Sequence, residues 1–325
     1  MSETTTDNPQ RLGVLGTLVL DTIRHPGARR PVRAWGGIAY ALTALDAVLS
    51  PGWTLVPVVK IGRDIFGEAA AYVRSFGRIG DMACVRCAGE ANNRVELVYS
   101  TESERVEVLT GGVPGWSVEE LREILPGLDA LYVNFVAGWE LDLAGARHVR
   151  DAFPGFCYAD LHSLFLDVAD DGRRRPRRLP HGDGWAGCFD AVQMNGDEFA
   201  LFAGGAADRR GAVEAALAER AAVIVVTRGA AGVELMTARG RDGPVVRRRV
   251  PVAEGPAPGD PTGCGDIWGA TFCAGLVAGT GTGPAIERAN RMARGKLGSS
   301  GAEAFRASLS DGRFRCSVSG PRSGM

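Results

Sequence analysis

Short, continuously apolar segments alternate with longer helical patterns along most of the chain. The apolar segments are rich in Val, Ile and Leu (LGVLGTLVLD, LVPVVKIG, ALYVNFVAG, AVQMN, AAVIVVTRGA), and patterns such as IAYALTALDAV lie between them. Strands without polar alternation are typical of a parallel sheet whose two faces are both covered. The pattern therefore predicts an α/β fold with a central, mostly parallel sheet flanked by helices.

Two segments interrupt this rhythm. Residues 22–35 and 83–110 are polar, and the second alternates polar and apolar positions, which is typical of strands with one exposed face. Such strands do not suit a sheet covered on both faces, so we predict that both segments form a small β lid. No repeat or long linker divides the rest, which predicts one domain over residues 12–305 and a loosely ordered tail over residues 306–325.

Composition narrows the classes of function. A chain of 325 residues with 45% hydrophobic residues can bury a large core, and its formal net charge of -1 lacks the basic surplus of a nucleic-acid binder. No apolar stretch approaches the roughly 20 residues that a bilayer requires, so no membrane partner is expected. The seven cysteines are scattered and odd in number, which argues against a disulfide framework and favours a reducing cytoplasm. An arginine cluster at residues 173–178 indicates a solvated loop or, alternatively, a patch for an anion or a partner.

The most informative stretch is residues 259–279, GDPTGCGDIWGATFCAGLVAG, where a glycine-dense turn leads into an apolar helix. The main-chain amides of Gly263, Cys264 and Gly265 are expected at the helix N-terminus, where they and the helix dipole predict an anion hole for a phosphoryl group. Asp266 beside this hole is expected to stay ionised and to take the proton of an attacking hydroxyl. For this motif alone, a helix cap with glycines for close packing is the alternative.

The run DPTGCGD resembles the signature of the ribokinase-like (PfkB) carbohydrate kinase family. Further motifs occur in the family's order over residues 12–302, namely LGTLVLD, AWGGIAYAL, KIGRDIFG, MNGDE, VVTRGAAG and AIERANRMA. The resemblance implies a ribokinase-like sheet with the small β lid over the sugar site. It also implies an ATP-dependent phosphotransferase with an alcohol group as acceptor, in which Asp266 is the base and residues 263–265 form the anion hole.

The resemblance assigns roles to the matching residues. It places the substrate against Asp21, Gly36, Gly37 and Asp160. It places the nucleotide against Asn195, Glu198, Thr227, Gly229, Gly232 and Asn290, with Glu198 positioning Mg²⁺ through water. ATP and Mg²⁺ are thus the implied cofactors; a monovalent cation and a homodimer through the lid are also compatible with the family. Strand-end caps at Asn195 and Thr227, and a surface helix position for Asn290, are the alternatives.

Departures from the family pattern bear on the acceptor. Cys264 replaces the usual alanine, Ala41 stands where many members have asparagine, and Val19 replaces a common polar residue, which puts ribose-type recognition in doubt. The segment YADLHSL also departs from the common pattern, and its His162 is open to a substrate contact or to a supporting or packing role. A sugar or sugar-like alcohol is favoured over a nucleoside, because the aromatics that could stack on a base are more often core residues: Trp35, Tyr40, Phe135 and Trp139.

Other function classes fit less well. A P-loop enzyme or a protein kinase requires a lysine on the nucleotide phosphates, and neither Lys60 nor Lys296 lies in such a motif. A Rossmann dehydrogenase would have G-x-G-x-x-G after its first strand, where this chain has Gly16-Thr17-Leu18. A ribokinase-like protein that binds or regulates without catalysis is the remaining alternative, and its mark would be loss of Asp266 or of the glycines beside it.

Overall fold

The computed structural model describes residues 9–100, 105–202, 206–238, 243–252 and 257–311. The strands in these ranges are β1 (Gln10–Gly16), β2 (Leu18–Arg24), β3 (Val32–Gly37), β4 (Trp53–Gly62), β5 (Val85–Ala88), β6 (Arg94–Tyr99), β7 (Arg105–Thr110), β8 (Ala130–Asn134), β9 (Phe156–Asp160), β10 (Leu166–Val168), β11 (Arg174–Pro176), β12 (Ala191–Asn195), β13 (Val223–Thr227), β14 (Val233–Ala238) and β15 (Val245–Val250). The helices are α1 (Ile38–Val48), α2 (Phe66–Arg74), α3 (Val118–Ile124), α4 (Leu143–Ala152), α5 (Gly182–Ala186), α6 (Gly196–Phe202), α7 (Ala206–Glu219), α8 (Cys264–Val277), α9 (Thr282–Lys296) and α10 (Ala302–Ser310), with short 3-10 turns at Leu125–Gly127, His162–Phe165 and Gly229–Ala231.

Nine strands form the central sheet, in the order β15-β14-β13-β12-β9-β8-β1-β4-β5. The pairs from β13 to β5 are parallel, whereas β14 and β15 add antiparallel strands at one edge. The predicted α/β fold with a mostly parallel sheet is confirmed. Its inner strands are apolar throughout because each face meets its own hydrophobic cluster: in β8, Tyr132 packs towards α1 and α8, and Leu131 packs towards α3 and α4.

A separate four-stranded sheet, in the order β3-β2-β6-β7, contains most of the two predicted lid segments. We call it the small sheet. The prediction was wrong for Val85–Ala88, because β5 pairs with β4 at the edge of the central sheet. An edge strand has one neighbour and tolerates polar positions such as Arg86, so its pattern imitates that of a half-exposed sheet. Residues 101–104 of the second segment lie outside the described residues.

Two further predictions need correction. The helix α10 extends past residue 305 to Ser310, since the side chain of Phe305 is buried and anchors it; the rest of the predicted tail, residues 312–325, lies outside the described residues. The arginine cluster is not simply a solvated loop, because Arg174 in β11 is buried and donates to Glu107 of β7 at 2.8 Å. No helix in the described ranges is long and apolar enough to cross a membrane.

Candidate active site

Five parallel strands of the central sheet end in polar residues or glycine, and three of these residues are predicted site residues. The strands β1, β8, β9, β12 and β13 end at Gly16, Asn134, Asp160, Asn195 and Thr227. In register, Asn134 lies opposite both Gly16 and Asp160, and Asn195 lies opposite Thr227. Because the carboxyl ends of parallel strands share one edge of the sheet, this is the edge at which open α/β folds bind ligands.

The glycine-rich turn brings the first residues of α8 to this edge. Gly263 precedes the helix with φ 78°, and a β-carbon on it would lie 2.5 Å from ring atoms of Tyr40, so no side chain fits at this position. Asp266 lies in the first turn of α8, and its Oδ1 accepts a hydrogen bond of 2.7 Å from Asn134 Nδ2. This contact connects the predicted base to the end of β8.

Asn134 was not among the predicted site residues. It is buried, and its Oδ1 accepts no hydrogen bond within the described ranges. Because an asparagine amide has one donor end and one acceptor end, donation to Asp266 orients the side chain. The sequence signal that could have found it is its position at the end of the apolar run ALYVN.

The main-chain amides of the predicted anion hole are not equivalent. The amide of Cys264 already donates to the carbonyl of Pro261 at 3.1 Å, whereas the amide of Gly265 meets no acceptor in the part of the chain that the structure describes. The amide of Cys264, which was expected to be unobstructed in the anion hole together with those of Gly263 and Gly265, therefore closes the turn that starts the helix. Burial raises the pKa of the Cys264 thiol to about 11, which keeps it a neutral thiol.

A cavity of about 330 Å³ lies beside this turn. Four predicted nucleotide residues line it together with two residues of the predicted anion hole, namely Thr227, Gly229, Gly232, Asn290, Cys264 and Gly265. Most of the remaining wall is apolar, and the Asn290 side chain is fixed by a hydrogen bond of 2.7 Å from Trp268 Nε1 to its Oδ1. Asn290 is thus a partly buried helix residue that is held in the cavity wall by Trp268.

A larger depression of about 620 Å³ lies elsewhere, beside Arg150, Glu219 and Arg220. Its wall includes Ala222, directly before β13, so it belongs to the amino ends of the strands. The guanidinium of Arg220 is occupied there by Asp190 and by main-chain carbonyls. This arrangement holds the fold together, and the candidate active site lies at the opposite edge of the sheet.

Asn195 and Glu198 form a reciprocal cap at the start of α6. The Oδ1 of Asn195 accepts from the amides of Asp197 and Glu198, both at 2.9 Å, and Glu198 accepts from the amide of Asn195 at 2.7 Å and from its Nδ2 at 2.6 Å. The capping alternative for Asn195 is confirmed. His162 Nδ1 also contacts Glu198 Oε1, so this carboxylate is held from two sides.

His162 is half-buried, and its charge is governed by neighbouring carboxylates. Burial opposes the charge of the imidazole, but Glu198 and then Asp160 favour it, and together they raise the pKa of His162 to about 9. Of the roles that the sequence left open, the geometry places His162 as a supporting partner of Glu198.

Asp160 lies beneath the site rather than in it. The residue is 3% exposed, and its carboxylate accepts from Gln193 Nε2 at 3.1 Å and from the amide of His162 at 3.2 Å. Burial, with smaller effects of Asp266 and Glu198, raises the pKa of Asp160 to about 8. Gln193 Nε2 also reaches the carbonyl of Gly265 at 3.1 Å, so Asp160 supports the glycine-rich turn through Gln193.

The residues predicted at the substrate end also come together. A β-carbon on Gly36 would lie 1.9 Å from Asp21 Oδ2, and one on Gly37 would lie 2.3 Å from the carbonyl oxygen of Thr17. The Asp21 carboxylate therefore lies directly against the Gly36 backbone. Asp21 and Asp266 share a neighbour, since burial and the charges of these two residues and of Asp260 raise the pKa of Tyr40.

The small sheet touches the glycine-rich turn. The hydroxyl groups of Tyr99, at the end of β6, and Thr262 form a buried hydrogen bond of 2.8 Å. Thr262 in turn donates its amide to Asp260 Oδ1 at 2.9 Å. Of the four aromatics considered for base stacking, Trp35, Tyr40 and Phe135 are buried in the core, whereas Trp139 is 38% exposed.

Comparison with known proteins agrees with this geometry. Residues 179–307 match the family model of the pfkB family carbohydrate kinases. This stretch contains the glycine-rich turn and the residues that line the cavity beside it. The resemblance identified in the sequence is thereby confirmed, and it supports a kinase. No curated protein is significantly similar in sequence to the chain.

Solved structures with the same fold cover nearly the whole chain. A pyrophosphate-dependent kinase in the ribokinase family, complexed with a pyrophosphate analog and myo-inositol, is 18% identical with a TM-score of 0.67, covering 92% of this chain and 99% of that chain. Arabidopsis thaliana ribokinase complexed with ribose and ATP is 15% identical with a TM-score of 0.66, covering 93% and 98%. Burkholderia thailandensis nucleoside kinase in complex with inosine is 15% identical with a TM-score of 0.67, covering 94% and 96%. At these identities the likeness concerns the fold, and the ligands bound in the three structures differ.

Proposed function

We propose that this protein is an ATP-dependent kinase that phosphorylates a hydroxyl of a small sugar or sugar-like alcohol. The family match supports a kinase in general; donor and acceptor are inferred from the site. One observation carries the proposal. The carboxylate of Asp266 is held by Asn134 at the start of α8, and residues of the same turn line the cavity that collects the predicted nucleotide residues.

In the proposed reaction, Asp266 accepts the proton of the acceptor hydroxyl as its oxygen attacks the γ-phosphorus of ATP. The new oxygen–phosphorus bond forms while the bond to the β–γ bridging oxygen breaks, and ADP leaves with that electron pair. Negative charge on the transferred group meets the amides at the start of α8, chiefly that of Gly265, together with the helix dipole. Asn134 keeps Asp266 in place for the proton transfer.

The cavity favours ATP over pyrophosphate as the donor. Apolar side chains such as Val233, Val252 and Leu297 form much of its wall. Such a wall suits the flat face of a purine, whereas pyrophosphate would leave it unused. The pyrophosphate-dependent relative therefore shares the fold but is not the better guide to the donor of this chain.

Mg²⁺ fits this site as an ion carried by the donor phosphates. The described ranges hold no group of three His, Cys, Asp or Glu residues that could bind a metal directly. Mg²⁺ commonly keeps several waters and uses few protein carboxylates, so Glu198, fixed by Asn195, would hold it through water. When bound, the ion would neutralise charge on the phosphates.

A small polyhydroxy acceptor suits the substrate end better than a nucleoside. Asp21 against the Gly36 backbone offers a carboxylate for hydroxyl groups. Three of the four aromatics that could hold a base are in the core, which leaves Trp139 for one face of a sugar or a base.

The test is a thermal-shift screen of sugars, cyclic polyols and nucleosides in the presence of a non-hydrolysable ATP analogue, because a true substrate raises the melting temperature by mass action. Each hit is then assayed for turnover with ATP and, separately, with pyrophosphate. We expect a sugar-like alcohol to be phosphorylated with ATP. Turnover with pyrophosphate alone would refute the donor assignment, turnover of nucleosides alone would refute the acceptor assignment, and binding without turnover would favour the non-catalytic alternative.

A further inference from the structure

Lys296 is a buried ammonium directly beneath the glycine-rich turn. It is the last residue of α9 and 0% exposed, although lysine is among the residues least often buried. Its Nζ donates to the main-chain carbonyl of Asp260 at 3.0 Å and lies 3.7 Å from Asp260 Oδ2. The other lysine of the chain, Lys60, donates hydrogen bonds to the carbonyl of Gly115 and to the carboxylate of Glu120.

The contacts of Lys296 fix the start of the turn that ends in Asp266. The amide of Asp260 donates to the carbonyl of Leu297 at 3.0 Å. The last residue of α9 and the residue after it thus bind both the carbonyl and the amide of Asp260. Tyr40 extends this support, because its ring contacts Gly263 and its centroid lies 5.7 Å from Lys296 Nζ. The ammonium, the ring and the turn thus form one packed unit.

A cation in this place has an electrostatic use. Burial lowers the pKa of Lys296, whereas the carboxylate of Asp260, 3.7 Å from Nζ, opposes this effect and favours the charged form. Its charge adds to the positive end of the α8 dipole on the side where the proposed reaction develops negative charge.

On the premise of the proposed kinase function, we propose that Lys296 is a positioning residue that serves as a built-in monovalent cation of the glycine-rich turn. It holds Asp260 and contributes fixed positive charge without touching the substrate. The protein then needs no dissolved potassium or ammonium ion for turnover.

The experiment measures turnover of the accepted substrate with tetramethylammonium as the sole monovalent cation, and then with potassium, ammonium or methylammonium added. We expect the wild type to respond by less than about twofold. Lys296→Met and Lys296→Ala should lose on the order of 10²-fold in kcat, the scale of losing one stabilising donor. Small cations should restore Lys296→Ala by at least about fivefold, a rescue that loss of packing alone would not give. Lys60→Met is the matched control, and its turnover should not be rescued by small cations.

Three results would overturn the proposed role of Lys296. Strong activation of the wild type by potassium would overturn the built-in cation, even if no Lys296 variant folds. A folded Lys296→Met with turnover near that of the wild type would also overturn it, as would a folded Lys296→Ala that no small cation rescues. Failure of the proposed function is seen separately, because the wild type would then turn over no acceptor with any donor, and the role of Lys296 would fall with it.

Discussion

At the residue scale, the proposed reaction depends on which groups orient the carboxylate of Asp266. The hydrogen bond from Asn134 Nδ2 fixes the position of one carboxylate oxygen of Asp266, namely Oδ1. The side chain thus has a defined direction relative to the glycine-rich turn, and this direction is a prerequisite for proton transfer from one particular hydroxyl.

Asp266→Asn tests this role. Asparagine keeps the shape of the side chain and can still accept from Asn134, but it cannot take a proton. We expect turnover to fall by at least on the order of 10²-fold while the ATP analogue and the acceptor still bind. The measurement is steady-state kinetics beside binding by calorimetry.

The matched control is Asp142→Asn, because Asp142 caps α4 and accepts from the amide of Gly145, a purely structural role. Asparagine caps helices about as well as aspartate, so this variant should keep its turnover. Turnover of Asp266→Asn close to that of the wild type would return the glycine-rich turn to a packing role.

The pair of His162 and Glu198 predicts a pH effect on stability. The folded-state pKa of His162, about 9, is raised above the ordinary value of 6.5, so the contribution of its charge is complete below pH 6.5 and is lost as the pH rises through 9. Since the side chain is 38% exposed, we expect this contribution to be no more than about 1 kcal/mol.

The check is the free energy of unfolding in urea at pH 6 and at pH 9.5, for the wild type and for His162→Gln. Glutamine keeps a neutral donor for Glu198, so the variant should lose less stability between the two pH values. Asp160, with its raised pKa, also makes stability fall with rising pH, and the charge of His162 lowers that pKa, so the two proteins are compared on an Asp160→Asn background as well. Equal losses in the two proteins would contradict the assigned pair.

The sequence predicted the residues of the turn better than the residues that support it. The roles suggested for Asp266 and Gly263 follow from local spacing, and the structure puts both at one helix start. Asn134 and Tyr40 act across long stretches of chain, and nothing in the local pattern of ALYVN or IAYALTALDAV reveals their partners. Asp160 was expected to face the substrate, but a strand-end carboxylate can also be buried beneath the next element, as it is here.

At the scale of elements, the turn between β13 and β14 is the clearest piece of the predicted nucleotide site. Gly229 opens this turn with φ 53°, and a β-carbon on it would meet nothing within 4 Å. It also lines the cavity of about 330 Å³. A side chain at this position would therefore strain the backbone and project into open space at the cavity.

Gly229→Val should weaken binding of the non-hydrolysable ATP analogue about tenfold, or roughly 1.4 kcal/mol. Gly279→Val is the control, because Gly279 follows α8 with φ 68° and an equally open β-carbon position but does not line the cavity. Both variants carry similar backbone strain, so a difference in affinity reports the cavity. Unchanged affinity in a folded Gly229→Val protein, measured by calorimetry, would remove this turn from the nucleotide site.

The start of α6 shows which contacts of an element can be predicted from its own sequence and which cannot. MNGDE indicates both a capping pair and a ligand site, since the same side-chain oxygens serve either purpose. The structure shows the cap at Asn195 and adds His162 from a different strand end. Sequence spacing predicts the contact between Asn195 and Glu198 because the two residues are three apart in the chain. It cannot predict the contact between His162 and Glu198, which are distant in sequence.

At the scale of the whole molecule, the alternation of apolar strands and helices was sufficient to predict the central sheet. It was insufficient to predict strand order, because pairing at the edges depends on distant segments. β5 illustrates this limit, since its polar positions suited the small sheet but its partner is β4. The small sheet was predicted from exposed alternation, and its role as a lid stays a prediction.

The hydrogen bond between Tyr99 and Thr262 has a consequence for the timing of the reaction cycle. It joins the small sheet to the loop that carries the proposed base, so the small sheet cannot swing outwards without breaking a buried bond. When the site opens to admit or release ligands, the glycine-rich turn would therefore lose its hydrogen bond to Tyr99. If the protein is the ATP-dependent kinase proposed above, water entering the open site would meet a less ordered glycine-rich turn, which would limit hydrolysis of ATP without an acceptor.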